Sequence, residues 1–489
     1  MSEQRDGVNR THGGRGKRSG GQRRQARPTK PGARDVALDV LLAVAEDDAY
    51  SNLLLPHRIR EARLSHEDAG LATELTYGTL RRSGYYDAII EMVAKRPIDE
   101  VDTLARAALQ LGAHQLLATR VATHAAVNET VSAVRRRAGQ GPSGFVNANL
   151  RRISEADAQT WHERVADSAN DELERLALVE SHPLWIVRAL REALALEHRE
   201  AELEETLRAN NESPHVQLAA LPELAEREAV IAAHPELLEP EPASPVAMRL
   251  SGGDPSDLEE VRSGRVRVQD AGSQLVALAL SRVEPLRAGE RILDLCAGPG
   301  GKSALLAAEV LAAGAKFQAN EVVPARADLV RKALRAVADG DALSVTELDG
   351  REYANQPDAY DRILVDAPCT GLGALRRRPE ARWRKQLSDV ADLSALQEEL
   401  LDAAVTAVKP GGIVAYVTCS PHPAETVGIV RRAARAGGLD VLDATAIYRD
   451  LAPDLDITGI SVGDGNAVQL WPHRHGTDAM FLTLLRKTD

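Results

Sequence analysis

From Arg265 onward, short apolar runs alternate with helical sequence, a texture that admits few folds and points to a mostly parallel sheet covered by helices. Arg291-Ile292-Leu293-Asp294-Leu295, Arg362-Ile363-Leu364-Val365 and Ile413-Val414-Ala415-Tyr416-Val417 read as short buried strands. Val266 and Val268, alternating with Arg265, Arg267 and Gln269, read as another, and Ala467 to Leu470 with Met480 to Leu485 read as an antiparallel hairpin closing the sheet. The first third differs. From Asp35 to about Ile153 the apolar residues recur at helical spacing, as in Val36, Val40, Leu41 and Val44, with further amphipathic stretches at 68–82, 86–95, 102–118 and 124–138. Lys95-Arg96-Pro97 and Gly139-Gln140-Gly141-Pro142 read as polar breaks between helices. The expected fold class is multidomain, an all-helical domain followed by a Rossmann-like α/β domain.

Four segments follow. Residues 1–34 form a Gly/Arg-rich arm, 35–155 the helical domain, 156–260 a connector with a small helical or α+β subdomain, and 261–489 the α/β domain. Pro235 to Pro245, rich in Pro and Glu, reads as a loop. Charge separates the arm from the rest. Residues 1–34 carry ten Lys/Arg and two Asp/Glu, whereas the whole chain has a net charge of −12. The arm has almost nothing apolar to pack, so disorder and contact with a polyanion are expected. It lacks the apolar core of a signal peptide, and no apolar run is long enough to span a membrane, so a cytoplasmic protein is expected. Only three cysteines occur in 489 residues, which argues against a disulfide framework.

Asp294-Leu295-Cys296-Ala297-Gly298-Pro299-Gly300-Gly301-Lys302 follows a strand and opens a helical run, Ser303 to Leu311. Glycines there let backbone approach a nucleotide-like ligand beside a helix N-terminus. An acid about twenty residues on can bind a ribose hydroxyl, and Glu321 stands 21 after Gly300. Asp349 follows another strand-like run and could orient an adenine. A P-loop is discounted because Cys296 occupies the place of its first glycine. Two other cysteines each follow a strand: Cys369 in Asp366-Ala367-Pro368-Cys369-Thr370 and Cys419 in Val417-Thr418-Cys419-Ser420. Thiols at the carboxyl ends of strands can share one crevice and serve covalent chemistry on an electrophilic ring. Cys296 reads as a small core residue apart from its backbone role. His422, His473 and His475 lack zinc-like spacing with cysteine, so no metal is expected, and the last two read as polar turn residues.

Together the loop 294–302, Asp366-Ala367-Pro368-Cys369, Arg376-Arg377-Arg378-Pro379-Glu380 with Trp383, and Thr418-Cys419-Ser420 resemble the bacterial Sun (Fmu) family of rRNA 5-cytosine methyltransferases. Thr73 to Arg81 and Phe145 to Arg151 resemble that family's NusB-like domain, so the likeness runs from about residue 35 to the end. The resemblance implies S-adenosylmethionine as cofactor, held by Cys296, Ala297, Gly298, Pro299, Gly300, Gly301, Lys302, Glu321, Asp349 and Asp366. It implies C5 methylation of a cytosine in 16S rRNA not yet assembled into a complete subunit, by a chain acting as a monomer.

Spacing alone leaves open which cysteine attacks. In the family the Thr-Cys-Ser position supplies the nucleophile, so the resemblance assigns Cys419 to attack at C6, Cys369 to product release and Asp366 to the cytosine's amidine edge. Arg376, Arg377, Arg378, Arg382, Arg384 and Lys385 are expected to attract phosphates at the site's rim. Thr426 and Asp478-Ala479-Met480-Phe481 depart from the family's usual asparagine and Asp-Gly-Phe-Phe. Leu218-Ala219-Ala220 also departs from its usual Arg-Val-Asn, leaving RNA contacts of the middle segment open. Two rival readings are the same chemistry on tRNA and a non-catalytic NusB-like RNA-binding transcription factor.

Overall fold

The computed structural model describes residues 30–338 and 340–488. Most of the basic arm therefore lies outside the described residues, and its end is already helical. The first helix, α1, covers Ala33–Glu46, followed by α2 (Ser51–Ala62), α3 (His66–Arg81), α4 (Ser83–Ala94), α5 (Thr103–Ala118), α6 (Thr123–Ala138) and α7 (Gln140–Ile153). Capping sets several starts: the Ser65 side chain accepts from Asp68 N–H, and the Asp102 side chain accepts from Ala105 N–H. Two helices depart from the sequence reading. α2 lies within the stretch read as helical but is given no bounds there, and Pro56 stands inside it. The break at Gly139 is a joint of a single residue, and α7 runs through Pro142, whose missing N–H costs nothing in a first turn. Val36, Leu41, Leu109, Val146 and Leu150 share one core, which also takes in Trp161 and Val165 of the next helix, Ala158–Asp167.

Four strands make a small antiparallel sheet: β1 (Val216–Ala220), β2 (Leu238–Pro240), β3 (Ala247–Leu250) and β4 (Val266–Val268), in the order β2-β3-β1-β4. Two expectations change here. Part of the Pro/Glu-rich stretch is strand β2, and β4 joins this sheet and not the parallel one. The alternation in β4 explains its place: Val266 is buried and Val268 is 56% exposed, the pattern of an edge strand with one covered face. Leu218, Ala219 and Ala220 are buried in β1, so their side chains face packing and not a ligand.

The larger sheet holds β5 (Arg291–Asp294), β6 (Lys316–Asn320), β7 (Leu343–Thr346), β8 (Tyr360–Asp366), β9 (Val408–Thr418), β10 (Leu439–Val441), β11 (Gly459–Val462), β12 (Gly465–Gln469) and β13 (Phe481–Lys487). Its order is β11-β12-β13-β9-β8-β5-β6-β7, with β10 beside β13. β7, β6, β5, β8 and β9 run parallel, and β13 closes against β9 antiparallel, as the hairpin reading anticipates. Alternate residues feed the two faces. Ile292, Leu364, Ala415 and Val417 pack with the helices Ala271–Arg282 and Gly301–Ala312, while Leu293, Ile363, Val365, Val414 and Tyr416 pack with Leu387–Ala407 on the other side. From β5 the chain builds outward first to β6 and β7, then to β8 and β9, so the strand order reverses between β5 and β8. The crevice at the carboxyl ends of those strands is where such folds bind ligands. Among the described residues, no helix is long and apolar enough to cross a membrane.

Candidate active site

Three loops meet at that crevice, leaving β5, β8 and β9. The first is shaped by close approach. Gly300 has φ +100°, and a Cβ there would sit 2.7 Å from Ala333 Cβ and 3.0 Å from Val330 Cα, so only glycine fits. A Cβ on Gly298 would collide with the Glu321 carboxylate, which instead accepts the Gly298 N–H at 3.1 Å and the Val323 N–H at 3.0 Å. Glu321 is thus brought to the loop from the end of β6, and is buried there. Asn320, which the sequence reading passed over, ties the strand ends together: its amide donates to Leu295 O and Leu348 O, and its oxygen accepts from Leu348 N–H. Asp349 lies one residue beyond but turns to other work. Its carboxylate caps the 3-10 helix Gly350–Asn355 and pairs with Arg351.

Asp294 is fully enclosed at the end of β5. Its Oδ2 accepts from Ser303 Oγ at 2.7 Å and its Oδ1 has no partner, so burial pushes the carboxyl up to about 7, with the Asp366 charge adding. Lys302, in the first turn of the helix Gly301–Ala312, reaches Asp366 Oδ2 at 2.8 Å. Burial works against the ammonium, but the Asp366 carboxylate outweighs it and the Lys302 value is raised.

Cys369 and Cys419 come together, with their Sγ atoms 3.4 Å apart. The hydrogen bond from Cys369 is the largest influence on Cys419 and holds it below the usual thiol range; burial opposes this, and the Lys302 cation assists. That same bond, then burial and the Glu425 charge, push Cys369 well up. Within the pair, the lower value therefore falls on Cys419 and the higher on Cys369. Cys296 stands apart: burial and the carboxylates of Asp294, Asp366 and Glu321 push it far above the thiol range, leaving it an inert packing residue.

Behind the thiols lies a buried carboxylate, Glu425, that gathers donors from both cysteine loops. Its only sequence signal was a place in the motif Pro423-Ala424-Glu425. Gln269, just past β4, was also missed. It is 8% exposed, both atoms of its amide lack a partner among the described residues, and its side chain lies 3.9 Å from where a Cβ on Gly301 would stand.

The basic segment after Cys369 is a correction. Arg376 is buried against Asp478, Asp270 and Gly476 O, and Arg377 pairs with the same two carboxylates. Arg382 is fully buried, donating to Arg81 O, Ser181 O, Asn210 O and Asn211 Oδ1. Arg384 donates to Val44 O and Ala49 O. Charge alone suggested solvent, but guanidinium groups also bond carbonyls, and here Arg382 and Arg384 join the α/β domain to the helical one. Arg378 remains exposed. The two late histidines are likewise packed and not loose turn residues, His473 bonding Glu202 and His475 accepting from Trp471 N–H. No group of three or more metal-ligating side chains occurs among the described residues.

Residues 282–486 match the family model described as 16S rRNA methyltransferase RsmB/F, and residues 31–155 match the NusB family. A Mycobacterium tuberculosis protein named as a methyltransferase is 46% identical, over 96% of this chain and 99% of its own. Ribosomal RNA small subunit methyltransferase B of Pseudomonas syringae pv. tomato is 31% identical, over 83% of this chain and 88% of its own. In fold, the chain is similar to the crystal structure of PH0851, with a TM-score of 0.75 at 21% identity over 94% of this chain and 100% of that one. NSun6 from Pyrococcus horikoshii, solved with SFG, gives 0.52 at 17% identity over 62% and 98%.

Proposed function

This chain belongs to the RsmB/F family of 16S rRNA methyltransferases, with a NusB-family domain ahead of the catalytic one, and on that premise we propose that it methylates C5 of one cytosine in 16S rRNA through a bond from Cys419 to C6. The observation that supports this reading best is the close pair of sulfurs, Cys419 and Cys369, beside the Lys302–Asp366 ion pair where the strand order reverses.

The methyl donor is S-adenosylmethionine, and the crevice fits it. Close backbone approach at Gly298 and Gly300, the N-terminus of the helix Gly301–Ala312 and the unpartnered Gln269 amide offer polar groups to a nucleoside bearing an amino acid. Glu321, buried beside Gly298, takes its ribose hydroxyls in this reading. When bound, this cofactor supplies an electrophilic methyl group.

The protein's own residues make the base reactive. Cytosine C5 is a poor nucleophile until the Cys419 thiolate adds to C6, which moves the ring electrons toward C5 as an enamine. Asp366, fixed by Lys302, faces the N3 and N4 edge and stabilises the N3-protonated ring of the adduct. After methylation the C5 proton passes to water, the C5–H electron pair re-forms the C5–C6 double bond, and the C6–S bond breaks so that Cys419 departs as thiolate. Cys369, 3.4 Å away, assists that release. Because the base must leave its stack to reach a thiol in a crevice, we take 16S rRNA outside a completed subunit as the substrate. Bisulfite sequencing of 16S rRNA from cells with and without the gene tests this reading. One cytosine should lose its protection in the deletion, and a 5-methylcytosine profile identical in the two strains would sink it.

A further inference from the structure

We propose that Cys369 and Cys419 form a reversible oxidation site, where hydrogen peroxide or another small hydroperoxide joins the two sulfurs as a disulfide and a dithiol releases them. The loss of activity that follows rests on the reading of Cys419 as nucleophile given above, whereas the bond itself does not.

β8 and β9 are parallel neighbours whose last paired residues are Asp366 and Val417, and just past them the Ala367 N–H donates to Val417 O at 2.9 Å. Neighbouring strands lie about 4.8 Å apart, within the roughly 4.4–6.8 Å that the Cα atoms of a disulfide span. The loops that leave these strands stay side by side. The sulfurs stand 3.4 Å apart, and at the next residue of each loop the Thr370 and Ser420 hydroxyls stand 3.1 Å apart. Further bonds hold the loops against separation. The buried Glu425 carboxylate accepts from the Thr370 N–H at 2.7 Å and from Ser420 Oγ at 2.6 Å, and the Gly373 N–H donates to Cys419 O at 2.8 Å. A disulfide bond is about 2.05 Å long, so closure asks the sulfurs for about 1.4 Å, shared between two side chains that each turn about χ1.

Both cysteines are half-buried in the crevice, so a small oxidant reaches them when no RNA covers the site. Cys296 packs instead against the core around Leu293 and Val365. The first sulfur to react, as its thiolate, gives an electron pair to one peroxide oxygen; the O–O bond breaks, and the other oxygen leaves as hydroxide and takes up the proton that the thiol gave up. That sulfur is now a sulfenic acid. The second thiol loses its proton and attacks the sulfenic sulfur, the S–OH bond breaks, and the hydroxide leaves with that proton as water. Two thiols and one hydrogen peroxide become one disulfide and two waters, with two electrons passing from the sulfurs to the peroxide. Either sulfur can react first, because its partner already stands beside it. The bond takes up both sulfurs that methylation uses, so none is left to add to C6. It also halts the oxidation early: a sulfenic acid with no thiol beside it goes on to sulfinic acid, which a dithiol does not reverse. The pairing thus converts a permanent loss of the nucleophile into a reversible one.

The test treats the intact wild-type protein, without RNA, with hydrogen peroxide, blocks the remaining thiols with N-ethylmaleimide and digests the protein without reduction. Mass spectrometry should find the peptides of Cys369 and Cys419 joined and two hydrogens lighter than their sum, with Cys296 carrying maleimide as the internal reference, and dithiothreitol should return both thiols. In Cys369→Ser the sulfur of Cys419 has no partner, so the same treatment should carry it to sulfinic acid that dithiothreitol does not reverse, and Cys419→Ser should do the same to Cys369. The wild-type measurement decides the matter by itself if a variant does not fold. Wild-type peptides that stay unlinked, or a sulfinic acid on one cysteine while the other remains a free thiol, overturn the oxidation site. Methyl transfer to 16S rRNA fragments separates this result from the catalytic reading. The oxidised protein should be inactive and recover with dithiothreitol, whereas a linked pair that still methylates overturns Cys419 as nucleophile and leaves the oxidation site standing.

Discussion

A thiol attacks as its thiolate, and the hydrogen bond with Cys369 holds the Cys419 value below the usual thiol range, with burial and the Asp366 carboxylate opposing and the Lys302 ammonium assisting. A depressed thiol value means that the thiolate is present at lower pH than in a free cysteine. Replacing Lys302 by methionine removes one favourable charge and leaves the Asp366 carboxylate unopposed, and both changes favour the protonated thiol. Alkylation of Cys419 in Lys302→Met should therefore begin at higher pH, with the rate at pH 7 falling by roughly an order of magnitude and recovering as pH rises. An unchanged onset would show that Lys302 does not tune the nucleophile. At this scale the sequence was informative where a residue type is rare and sits after a strand, as for Cys369, Cys419, Asp366 and Lys302. It was silent on Asn320, Gln269 and Glu425, whose meaning lies in partners 25 to 55 residues away in sequence or in their absence. The pattern also did not show that the Asp349 carboxylate caps the turn that follows.

Among the elements, the segment from Cys369 to Lys385 departs most from its sequence reading. Hydrophobic periodicity placed five of the first seven helices and the central strands β5, β8 and β9, because burial leaves a period of its own. Charge leaves no such mark. A run of arginines reads the same whether it faces phosphates or carbonyl groups, and in this run most guanidinium groups face carboxylates and carbonyls of the protein. The exposed Arg378 is free to meet RNA. Arg378→Ala should reduce the slope of log affinity for 16S rRNA fragments against log salt by about one, whereas Arg376→Ala, which removes a buried partner of Asp270 and Asp478, should leave that slope unchanged. Filter binding at several salt concentrations checks both; equal slopes for wild type and Arg378→Ala would exclude a phosphate contact there. Strand β4 carries a related lesson, since Val266 and Val268 specify a strand but not the sheet it joins.

At the scale of the molecule, the loop that begins at the catalytic motif also binds the helical domain. Gly373 N–H donates to Cys419 O at 2.8 Å, and a few residues on Glu380 accepts from Ser51 Oγ at 2.9 Å while Arg382 fills a site between α3 and the Ser181 and Asn210 turns. The loop that carries Cys369 and the helical domain therefore share a direct connection. Arg382→Ala would strand several buried carbonyl oxygens, at about 1–3 kcal/mol for each left without a donor. Thermal unfolding should fall by several degrees and split into separate transitions for the two domains, and a single unshifted transition would contradict this account of the seam. The central claim is covalent attack by Cys419, and trapping tests it most directly. With 16S rRNA carrying 5-fluorocytidine at the target, methyl transfer leaves no C5 proton to remove, so the bond to the enzyme persists. Digestion and mass spectrometry should then find the methylated nucleotide on the peptide containing Cys419, and the same adduct should build up on unmodified RNA with Cys369→Ala. An adduct on Cys369, or methylation by Cys419→Ala at the wild-type rate, would contradict it.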